Sequence, residues 1–410
     1  MQIVMRSLTR ALISASVLTA VATAGWSQQP SLTWLGAPEG AVFTDAYGVS
    51  ADGSVVVGVV YDGQYRAFLW KRCGGLQLLE TPSQYNSSFA YGVSADGSVV
   101  VGSVFSYSSG PAACVWRNGA IQLLGTLPGY STSIAYGISA DGTTVVGAAD
   151  TGTGVEWRAF RWKNSVMQDL GTLPAGEYSI ARAASADGSA VVGQGTVGQW
   201  FAARWQSGLW QSLGTLGGSR IDVANGVSAD GSVVVGEAHN AANDWRAFRW
   251  TASTGMQDLG TLGGGNLSRA YGVSANGGLV VGEAIRADFQ RLAFRWTQPN
   301  GMQDLNTVYA SQVGMSRLSI ARALSPDGRY IVGVGNNFDT QRDEAYLLDT
   351  IGPSPVAGDV DGNGCIDDAD LLAVLFAFGA TGSNPSDVNC DAVVDDADLL
   401  TVLFNFGRGC

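Results

Sequence analysis

The sequence predicts an all-β fold, a seven-bladed β-propeller closed by an N-terminal strand, with a small α-helical module after it. A block of the type AYGVSADGSVVVG occurs seven times. RAFRW, or EAYLL in the last copy, follows each block, and a third block of the type MQDLG follows only six of them. The turn residues of the first block lie 43 to 51 residues apart, and such periods are typical of propeller blades or solenoids. These turn residues are Asp52, Asp96, Asp141, Asp187, Asp230, Asn276 and Asp327.

Each repeat has room for four strands, which we name a to d. AYGVS predicts strand a, and the Asp-Gly pair predicts a tight turn into strand b, SVVVG, because glycine accepts positive φ and aspartate bonds its own backbone. RAFRW predicts strand c, whose tryptophan we assign to the core between blades, and MQDLG predicts strand d. Four antiparallel strands fit a propeller blade, whereas a solenoid usually needs capping repeats, which the sequence lacks.

The seventh repeat has no strand d, since a linker follows EAYLLD directly. SLTWLG (residues 31–36) has the character of the missing strand, so we expect it to complete the last blade and remove an exposed edge. We expect the residue before each strand c tryptophan to lie near the residue before the strand d leucine. Most of these pairs are apolar with apolar or Arg with Asp, as cross-strand neighbours would be, which supports this strand order. One such pair is Arg161 with Asp169, and the closing pair would be Leu347 with Trp34.

The N terminus has the features of an export signal. Arg6 and Arg10 precede a small apolar run, Ala11 to Ala24, that ends in an Ala-x-Ala cleavage pattern. This run is too short to span a bilayer, so we predict a signal peptide at 1–24, no transmembrane segment, and a secreted protein, extracellular or associated with the cell surface.

The charge distribution separates the two parts of the chain. The formal net charge is −12, and the segment 358–410 alone contains ten Asp and one Arg. A nucleic-acid partner is therefore not expected, because binding requires a basic footprint, whereas a cation is. Of the five cysteines, Cys114 stands where sibling repeats have Phe and is interpreted as a buried free thiol. One disulfide is expected among Cys365, Cys390 and Cys410, with its connectivity open.

The combined blocks AYGVSADGSVVVG, RAFRW and MQDLGTLGG resemble the extracellular HAF-type repeat family of bacteria over Ser31 to Asp349. We therefore place the propeller at 30–350. The resemblance implies an exported, repeat-built protein and supplies no chemical activity.

No catalytic residue is predicted in the propeller. His239 is the single histidine and is interpreted as a surface-loop residue. A glycoside hydrolase would need two carboxylates at a fixed separation, and it stays open as the alternative. Candidate acids outside the repeated turns are Asp150, Glu156, Glu177, Asp222, Asp244 and Asp288.

Aromatic residues recur in the loops that join strands b to c and d to a, which share one face of a propeller. Such a rim could stack on sugar rings or anchor a protein partner; packing within the hairpins is the competing interpretation. The candidate rim residues are Tyr65, Trp157, Trp200, Trp245, Tyr85, Tyr130 and Tyr178.

After a linker at 351–357, two twelve-residue segments, DVDGNGCIDDAD and DVNCDAVVDDAD, place oxygen ligands at calcium-loop spacing. Ala392 replaces the turn glycine of the first loop, so the second of the two predicted Ca²⁺ sites is expected to be weaker. The first loop would use Asp359, Asp361, Asn363, Asp367, Asp370 and the carbonyl of Cys365. The second would use Asp387, Asn389, Asp391, Asp395, Asp398 and the carbonyl of Val393.

Each loop leads into a short helix, DLLAVLFAFG or DLLTVLFNFG, with more apolar surface than one stripe. The duplicated loop and helix resemble a dockerin over Gly358 to Phe406, and the module is placed at 358–410. The resemblance implies calcium-dependent docking, through the helices, to a cohesin-like or other cell-surface protein. Asp368-Ala369 and Asp396-Ala397 stand where dockerins often carry a Ser/Thr-type recognition pair.

The predicted function is that of a secreted, non-catalytic propeller that binds an extracellular ligand, such as a polysaccharide, and docks through the C-terminal module. Two alternatives stay open. One is a carbohydrate-active hydrolase for polysaccharide breakdown, with acids in the rim loops. The other is a structural cell-surface repeat protein in which only the C-terminal module binds a partner.

Overall fold

The computed structural model describes residues 29–351, 358, 360, 365–381, 384, 386–388 and 393–407. Pro30–Thr350 forms one compact unit, and the described residues from Ile351 onward belong to a second. The predicted signal peptide and residues 352–357 of the predicted linker lie outside the described residues.

The first unit consists of seven four-stranded antiparallel sheets, a seven-bladed β-propeller. β1 (Ser31–Trp34) belongs to the last blade. Blade 1 contains β2 (Phe43–Val49), β3 (Val55–Tyr61), β4 (Tyr65–Lys71) and β5 (Gly75–Leu78), and blade 2 contains β6 (Ser87–Val93), β7 (Val99–Ser106), β8 (Gly110–Arg117) and β9 (Ala120–Leu123). Blade 3 contains β10 (Thr132–Ile138), β11 (Thr144–Asp150), β12 (Trp157–Lys163) and β13 (Val166–Asp169), and blade 4 contains β14 (Ser179–Ala184), β15 (Ala190–Val197), β16 (Gln199–Gln206) and β17 (Leu209–Ser212).

The remaining blades follow the same plan. Blade 5 contains β18 (Val223–Val227), β19 (Val233–His239), β20 (Trp245–Thr251) and β21 (Gly255–Asp258), and blade 6 contains β22 (Leu267–Val273), β23 (Leu279–Ile285), β24 (Arg291–Thr297) and β25 (Gly301–Asp304). Two short helices, α1 (Leu305–Val308) and α2 (Ala310–Val313), lead to blade 7. Its strands are β26 (Arg317–Leu324), β27 (Tyr330–Asn337), β28 (Arg342–Asp349) and β1, which pairs antiparallel with β28.

Burial is greatest in the b strands and smallest in the outermost d strands. The b strands are almost wholly buried, as their valine runs predict, whereas the d strands are half exposed. Strand a of each blade contacts strand a of the next, β26 beside β2 included, so the seven a strands surround a central channel. Five of the six strand c tryptophans are buried, and Cys114 is a buried free thiol as predicted.

The turn between strands a and b has the predicted chemistry. In blade 1 the Asp52 carboxylate accepts hydrogen bonds from the Ser50 hydroxyl and the Ser54 backbone N–H, and Gly53 has a φ of +68°. Successive turns are also joined by backbone hydrogen bonds at six of the seven blade junctions, for example Ala51 N–H to Ala95 O. Blade 7 has Pro326 at this position, which has no N–H to donate toward blade 1.

The predicted pairing of strands c and d is wrong by one residue. Arg161 lies opposite Gln168, not Asp169, and its guanidinium donates to the Gln168 side chain at 2.8 Å. In the last blade Leu347 lies opposite Thr33, and Trp34 opposite Tyr346. In blade 3 the reason is the two-residue loop 164–165, in which both residues have positive φ, because such a turn sets the register of a hairpin.

The second unit contains α3 (Asp368–Ala377) and α4 (Asp396–Asn405). Its small core consists of Ile366, Val374, Val394 and Val402, two residues from each loop-helix repeat. The Gly that follows each helix donates its N–H to the other repeat, Gly379 to Val394 O and Gly407 to Ile366 O, both at 2.8 Å. The two repeats are therefore related as duplicates in structure as well as in sequence.

Candidate functional site

Two of the predicted rim aromatics lie together. Trp200, near the start of β16, and Trp245, at the start of β20, line one cleft of about 380 Å³ between blades 4 and 5. Tyr178 stacks on Trp200, with ring centroids 6.5 Å apart. The cleft is lined by Gln199, Trp200, Ser219, Arg220, Ile221, His239 and Trp245.

His239 belongs to this cleft, and its interpretation as a surface-loop residue is wrong. It is the last residue of β19, directly opposite Trp245, and only 2% of its surface is exposed. Its ring lies 3.8 Å from the Trp245 ring, and Nδ1 is 3.1 Å from the Ile221 carbonyl. Burial lowers the pKa of His239, so the imidazole is neutral near pH 7 and orients the indole rather than adding charge.

Asp222 lies behind the cleft lining and departs from the repeat. Blades 1–4 and 6 have Ser or Thr at this position, and the hydroxyl of Ser179, for example, accepts from Ala159 N–H and donates to Gly171 O. The Asp222 side chain is fully buried; Oδ1 accepts from His239 N–H at 3.0 Å, and Oδ2 has no partner. Burial raises its pKa to about 6, because an ionised carboxylate is poorly solvated there.

The other rim candidates do not join this cleft. Trp157 donates its indole N–H to Gly154 O within its own hairpin. Tyr85 and Tyr130 pack against the hydrophobic core, and Tyr65 contacts the rings of its neighbours in blades 1 and 2.

The candidate hydrolase acids are mostly engaged locally. The Asp150 carboxylate accepts from the backbone N–H groups of Gly152, Gly154 and Glu156 and so shapes its own loop. Glu156 accepts from Thr151 in the same loop. Asp244 and Asp288 form salt bridges with Arg246 and Arg286, two residues away in sequence, and Glu177 is exposed.

The central channel is a second polar region, which the sequence analysis missed. Every a strand has a β-bulge at the same place, between Ala46 and Gly48 in blade 1, and a bulge re-aims the side chain of its extra residue. All seven extra residues are half-buried, and five neighbouring pairs of them are in ring or cation–π contact around the channel. These bulge residues are Tyr47, Tyr91, Tyr136, Arg182, Asn225, Tyr271 and Arg322.

Ion pairs cluster in part of this channel. Arg322 binds Asp45 at 2.9 Å across the junction of blades 7 and 1. Arg269 forms salt bridges with Glu237 and with Glu283, whose Oε1 also accepts from the Tyr271 hydroxyl at 2.7 Å. Arg269 also lies over the Trp245 ring, 5.2 Å from its centroid, so this network reaches the cleft.

The two predicted calcium loops are described in part. Asp359, Asp361, Asn363, Asn389 and Asp391 lie outside the described residues. Within the described ones, no three His, Cys, Asp or Glu side chains converge as a metal site. Cys365 is disulfide-bonded.

The last acid of each loop has the same surroundings. The Asp370 carboxylate accepts from Val360 N–H at 2.6 Å and from Asp367 N–H at 3.0 Å. Asp398 accepts from the equivalent residues of its own loop, Val388 and Asp395, at 2.8 and 2.9 Å. Both carboxylates are fully buried.

Comparisons with known proteins support the propeller fold alone. No protein-family model and no curated protein matches the sequence. An oligogalacturonate lyase from Vibrio parahaemolyticus is 12% identical over 78% of this chain and 93% of its own, with a TM-score of 0.51. An oligogalacturonate lyase in complex with manganese is 13% identical over 79% and 94%, with a TM-score of 0.52.

A TolB from Acinetobacter baumannii is also similar, with 15% identity, 60% of this chain covered and a TM-score of 0.42. The match spans 62% of that TolB. In the part of the chain that the structure describes, no helix is long and apolar enough to cross a membrane.

Proposed function

We propose that this is an exported, non-catalytic binding protein. Its propeller holds an extracellular saccharide in the rim cleft, and its C-terminal module docks, in a calcium-dependent manner, to a cohesin-like or other cell-surface protein. The observation that carries the first part is the convergence of Trp200 and Trp245 on one cleft. The HAF-type and dockerin resemblances support the second part and the extracellular location.

The cleft has the two kinds of surface that a sugar ring needs. The indoles of Trp200 and Trp245 offer flat apolar faces for its C–H groups. Gln199, Ser219 and Arg220 offer hydrogen-bonding groups for its hydroxyls. Tyr178 behind Trp200 and His239 against Trp245 hold the two indoles in place.

Binding is favoured over hydrolysis because the acids are engaged elsewhere. A hydrolase needs an acid and a second carboxylate on either side of the scissile bond. Four of the six candidates stabilise loops or pair with arginine, and Asp222 is buried behind the lining with one oxygen bound to His239 N–H. The cleft itself is lined by no carboxylate among the described residues.

A matched pair of tryptophan variants tests the cleft. Cellohexaose, xylohexaose and hexagalacturonate are titrated into the full chain by calorimetry. We expect one of them to bind, and Trp245→Ala to weaken it about tenfold or more, because truncated aromatic anchors dominate binding energies. Trp157→Ala is the control, since Trp157 has the same place in its repeat but lies outside the cleft. Equal losses for both variants, or no binding at all, would refute the proposal.

The same panel separates binding from hydrolysis. We expect no release of reducing ends from folded wild-type protein. Release that disappears in Asp222→Asn or Glu177→Gln would establish the hydrolase instead.

The chemistry of the C-terminal module fits calcium. Residues 358–407 contain ten Asp and no Lys, Arg or His. Hard oxygen donors at this spacing suit Ca²⁺. The ligands would be the twelve predicted residues, and a bound ion would supply the positive charge that this segment lacks.

The two helices leave an apolar surface exposed on each repeat. Phe376 and Phe404, at equivalent positions of α3 and α4, are 86% and 77% exposed. Leu372, Leu375, Leu400 and Leu403 are about half exposed beside them. An apolar surface of this extent on so small a module is typical of a protein-docking site.

Calorimetric titration with CaCl₂ tests the module. We expect two ions per full chain, the second about fivefold weaker because of Ala392. Asp370→Asn should remove one site, whereas Asp368→Asn, an exposed neighbour, should keep both. An unchanged stoichiometry in Asp370→Asn would contradict this assignment.

Recombinant cohesin modules immobilised on beads test the docking partner. We expect retention of the full chain in calcium, release by EGTA, and loss of retention in the double variant Phe376→Ser/Phe404→Ser with its calcium sites intact. Retention that persists in EGTA and in the double variant would refute docking through the helices.

A further inference from the structure

Arg220 gives the rim cleft a positive charge. It is the one arginine or lysine among the described residues that line the cleft, and no carboxylate lines the cleft beside it. The residue is exposed. None of the salt bridges within the described part of the chain includes it. Its guanidinium is therefore open to a ligand in the cleft.

The surroundings of His239, in the same lining, have the same positive sign. Burial chiefly lowers the pKa of this imidazole, and the charges of Arg220 and Arg269 lower it further, because a nearby cation disfavours the protonated ring. Arg269 is already paired with Glu237 and Glu283. Arg220 is therefore the cation that remains for a ligand.

The acids that are close to Arg220 in the chain or in the neighbouring loop have other partners. The Asp222 carboxylate is fully buried behind the lining, and its Oδ1 accepts from His239 N–H at 3.0 Å. Asp244, in the loop before β20, pairs with Arg246 at 3.2 Å. The described lining of the cleft thus carries one positive charge and no negative one.

The loop that carries Arg220 is fixed on both sides of this residue. Gly218 N–H donates to His239 O, in blade 5, at 3.0 Å, and Asp222 N–H donates to Trp200 O, in blade 4, at 3.1 Å. The backbone of Arg220 is therefore held at the cleft before a ligand binds, and such a fixed position lowers the entropic cost of binding.

We infer that the rim cleft selects an acidic saccharide, a sugar chain with carboxylates on its rings, and that Arg220 is the residue that selects it. This inference rests on the proposed binding of a saccharide in the cleft. The ligand carboxylate pairs with the Arg220 guanidinium, which can bind it through two parallel hydrogen bonds. The indoles of Trp200 and Trp245 contact the sugar rings.

Two pairs of ligands, each with one linkage and one ring stereochemistry, test the role of the acid group. Hexagalacturonate is compared with its fully methyl-esterified form, and cellohexaose with the hexaglucuronate of the same linkage, by calorimetric titration into the full chain. We expect the acidic member of a pair to bind about tenfold more tightly, since hydrogen bonds to charged groups carry effects of this size. This preference should shrink between 0.1 and 1 M NaCl, because salt screens exposed charges.

Three variants assign the preference to one residue. Arg220→Gln should remove it, so that both members of a pair bind with the affinity of the neutral one. Arg317→Gln is the matched control, because Arg317 is exposed at the same position of its repeat in blade 7 and lies outside the cleft lining. Trp245→Ala should weaken both members by the same factor and keep their ratio, since it removes contacts to the rings and not to the acid group.

The outcomes separate this inference from the proposal on which it rests. Equal affinities within each pair, binding of xylohexaose alone, or a preference that survives in Arg220→Gln would overturn the inference and leave the saccharide cleft intact. Absence of binding by every saccharide would refute the cleft and the inference together. Thermal unfolding of Arg220→Gln should match that of wild type, because the exposed side chain has no ion pair in the described chain to lose.

Discussion

Blades 1–3 and blades 4–7 surround the same channel with different side chains. In blades 1–3 the bulge residues are Tyr47, Tyr91 and Tyr136. The ring centroid of Tyr91 lies 5.7 Å from that of Tyr47 and 5.7 Å from that of Tyr136. In blades 4–7 two of the four are arginines, Arg182 and Arg322, and the strand b acids Glu237 and Glu283 of blades 5 and 6 form ion pairs there, while Asp45 of blade 1 pairs with Arg322 across the junction of blades 7 and 1. One half of the channel is held by ring contacts and the other by buried ion pairs.

The difference shows which positions of a repeat are free to diverge. A side chain on strand b or c packs between blades, so its size and polarity are constrained on both sides. The extra residue of a bulge leaves the strand pairing and points away from this core. It can therefore change from tyrosine to arginine without altering the sheet, and the channel is where the seven blades acquire individual chemistry.

The largest effect should come from breaking the ion pair at the junction of blades 7 and 1. Asp45 is 5% exposed, and Arg322, between the Tyr47 and Tyr271 rings, is its counter-charge. Arg322→Met should lower the free energy of unfolding by about 3–5 kcal/mol, because it leaves a buried carboxylate unpaired. Urea denaturation measures this.

Asp45→Asn combined with Arg322→Met should recover part of that loss, since no charge is left buried. Arg72→Met is the control, because Arg72 is exposed over the Tyr330 ring. A cost below about 1 kcal/mol for Arg322→Met would remove the distinction between the two halves.

The second effect is a pH dependence confined to blade 5. Folding raises the pKa of Asp222 from 3.8 to about 6, so the native state binds more protons than the unfolded state between these values. Its contribution to stability is therefore largest at low pH and declines as pH rises from 4 to 6, by up to about 3 kcal/mol. Asp222→Asn should remove this decline.

The measurement is the difference in unfolding free energy between wild type and Asp222→Asn at pH 4 and pH 7. His239 contributes a slope of opposite sign to both proteins, because burial lowers its pKa, so the difference isolates Asp222. Asp288→Asn, an exposed acid, should leave the slope unchanged. Parallel pH profiles for wild type and Asp222→Asn would contradict the assignment.

A smaller effect is expected in the aromatic half. Tyr91 contacts the rings of Tyr47, Phe89 and Tyr136. Tyr91→Leu should cost about 1–2 kcal/mol, since it loses ring contacts but stays apolar. The loss should be equal in 0.1 and 1 M NaCl, because no ion pair is involved. A salt-dependent loss would mean that the two halves are coupled.

The smallest effect tests the part that both halves share. Asp96 in blade 2 and Asp230 in blade 5 accept the same hydrogen bonds in their a–b turns. Asp96→Ala and Asp230→Ala should each cost about 1 kcal/mol at pH 7 and agree within about 0.5.

The turn hydrogen bonds lower the pKa of both carboxylates, that of Asp230 to about 2. Their contribution is therefore present above the unfolded pKa and should disappear as pH falls from 4 toward 2. Unequal costs at pH 7 would show that the halves differ in their framework as well as in their channel.

The sequence predicted the framework well because the framework is local. Seven repeats, a turn with Asp and Gly, and a buried strand c tryptophan are properties of short segments, and all are present, with the tryptophan buried in five of its six copies. The register of strands c and d was wrong by one residue, because it depends on loop geometry that composition does not reveal. Trp200 and Trp245 were singled out with five other aromatics, and nothing in their spacing separated them.

Two departures from the repeat could have identified these residues from the sequence. Arg182, Asn225 and Arg322 interrupt the tyrosine of AYGVS, and Asp222 replaces the Ser or Thr of the same strand. Residues that break a repeat at a fixed position are candidates for function, since the repeat itself already accounts for the fold.

The sequence by itself determined the number of blades, their strands and turns, and the acidic loop-helix repeats at the C terminus, since each is written in periodic, short-range patterns. Only the tertiary structure decided which groups meet: Trp200 and Trp245 on one cleft, the His239 backbone N–H with the Asp222 carboxylate, and Arg322 with Asp45. Of the hydrogen-bonded pairs, Asp222 and His239 are 17 residues apart in the chain, and Asp45 and Arg322 are 277 residues apart. Ring closure and the β-bulges bring them together, because packing between blades selects partners by position around the channel and not by distance along the sequence.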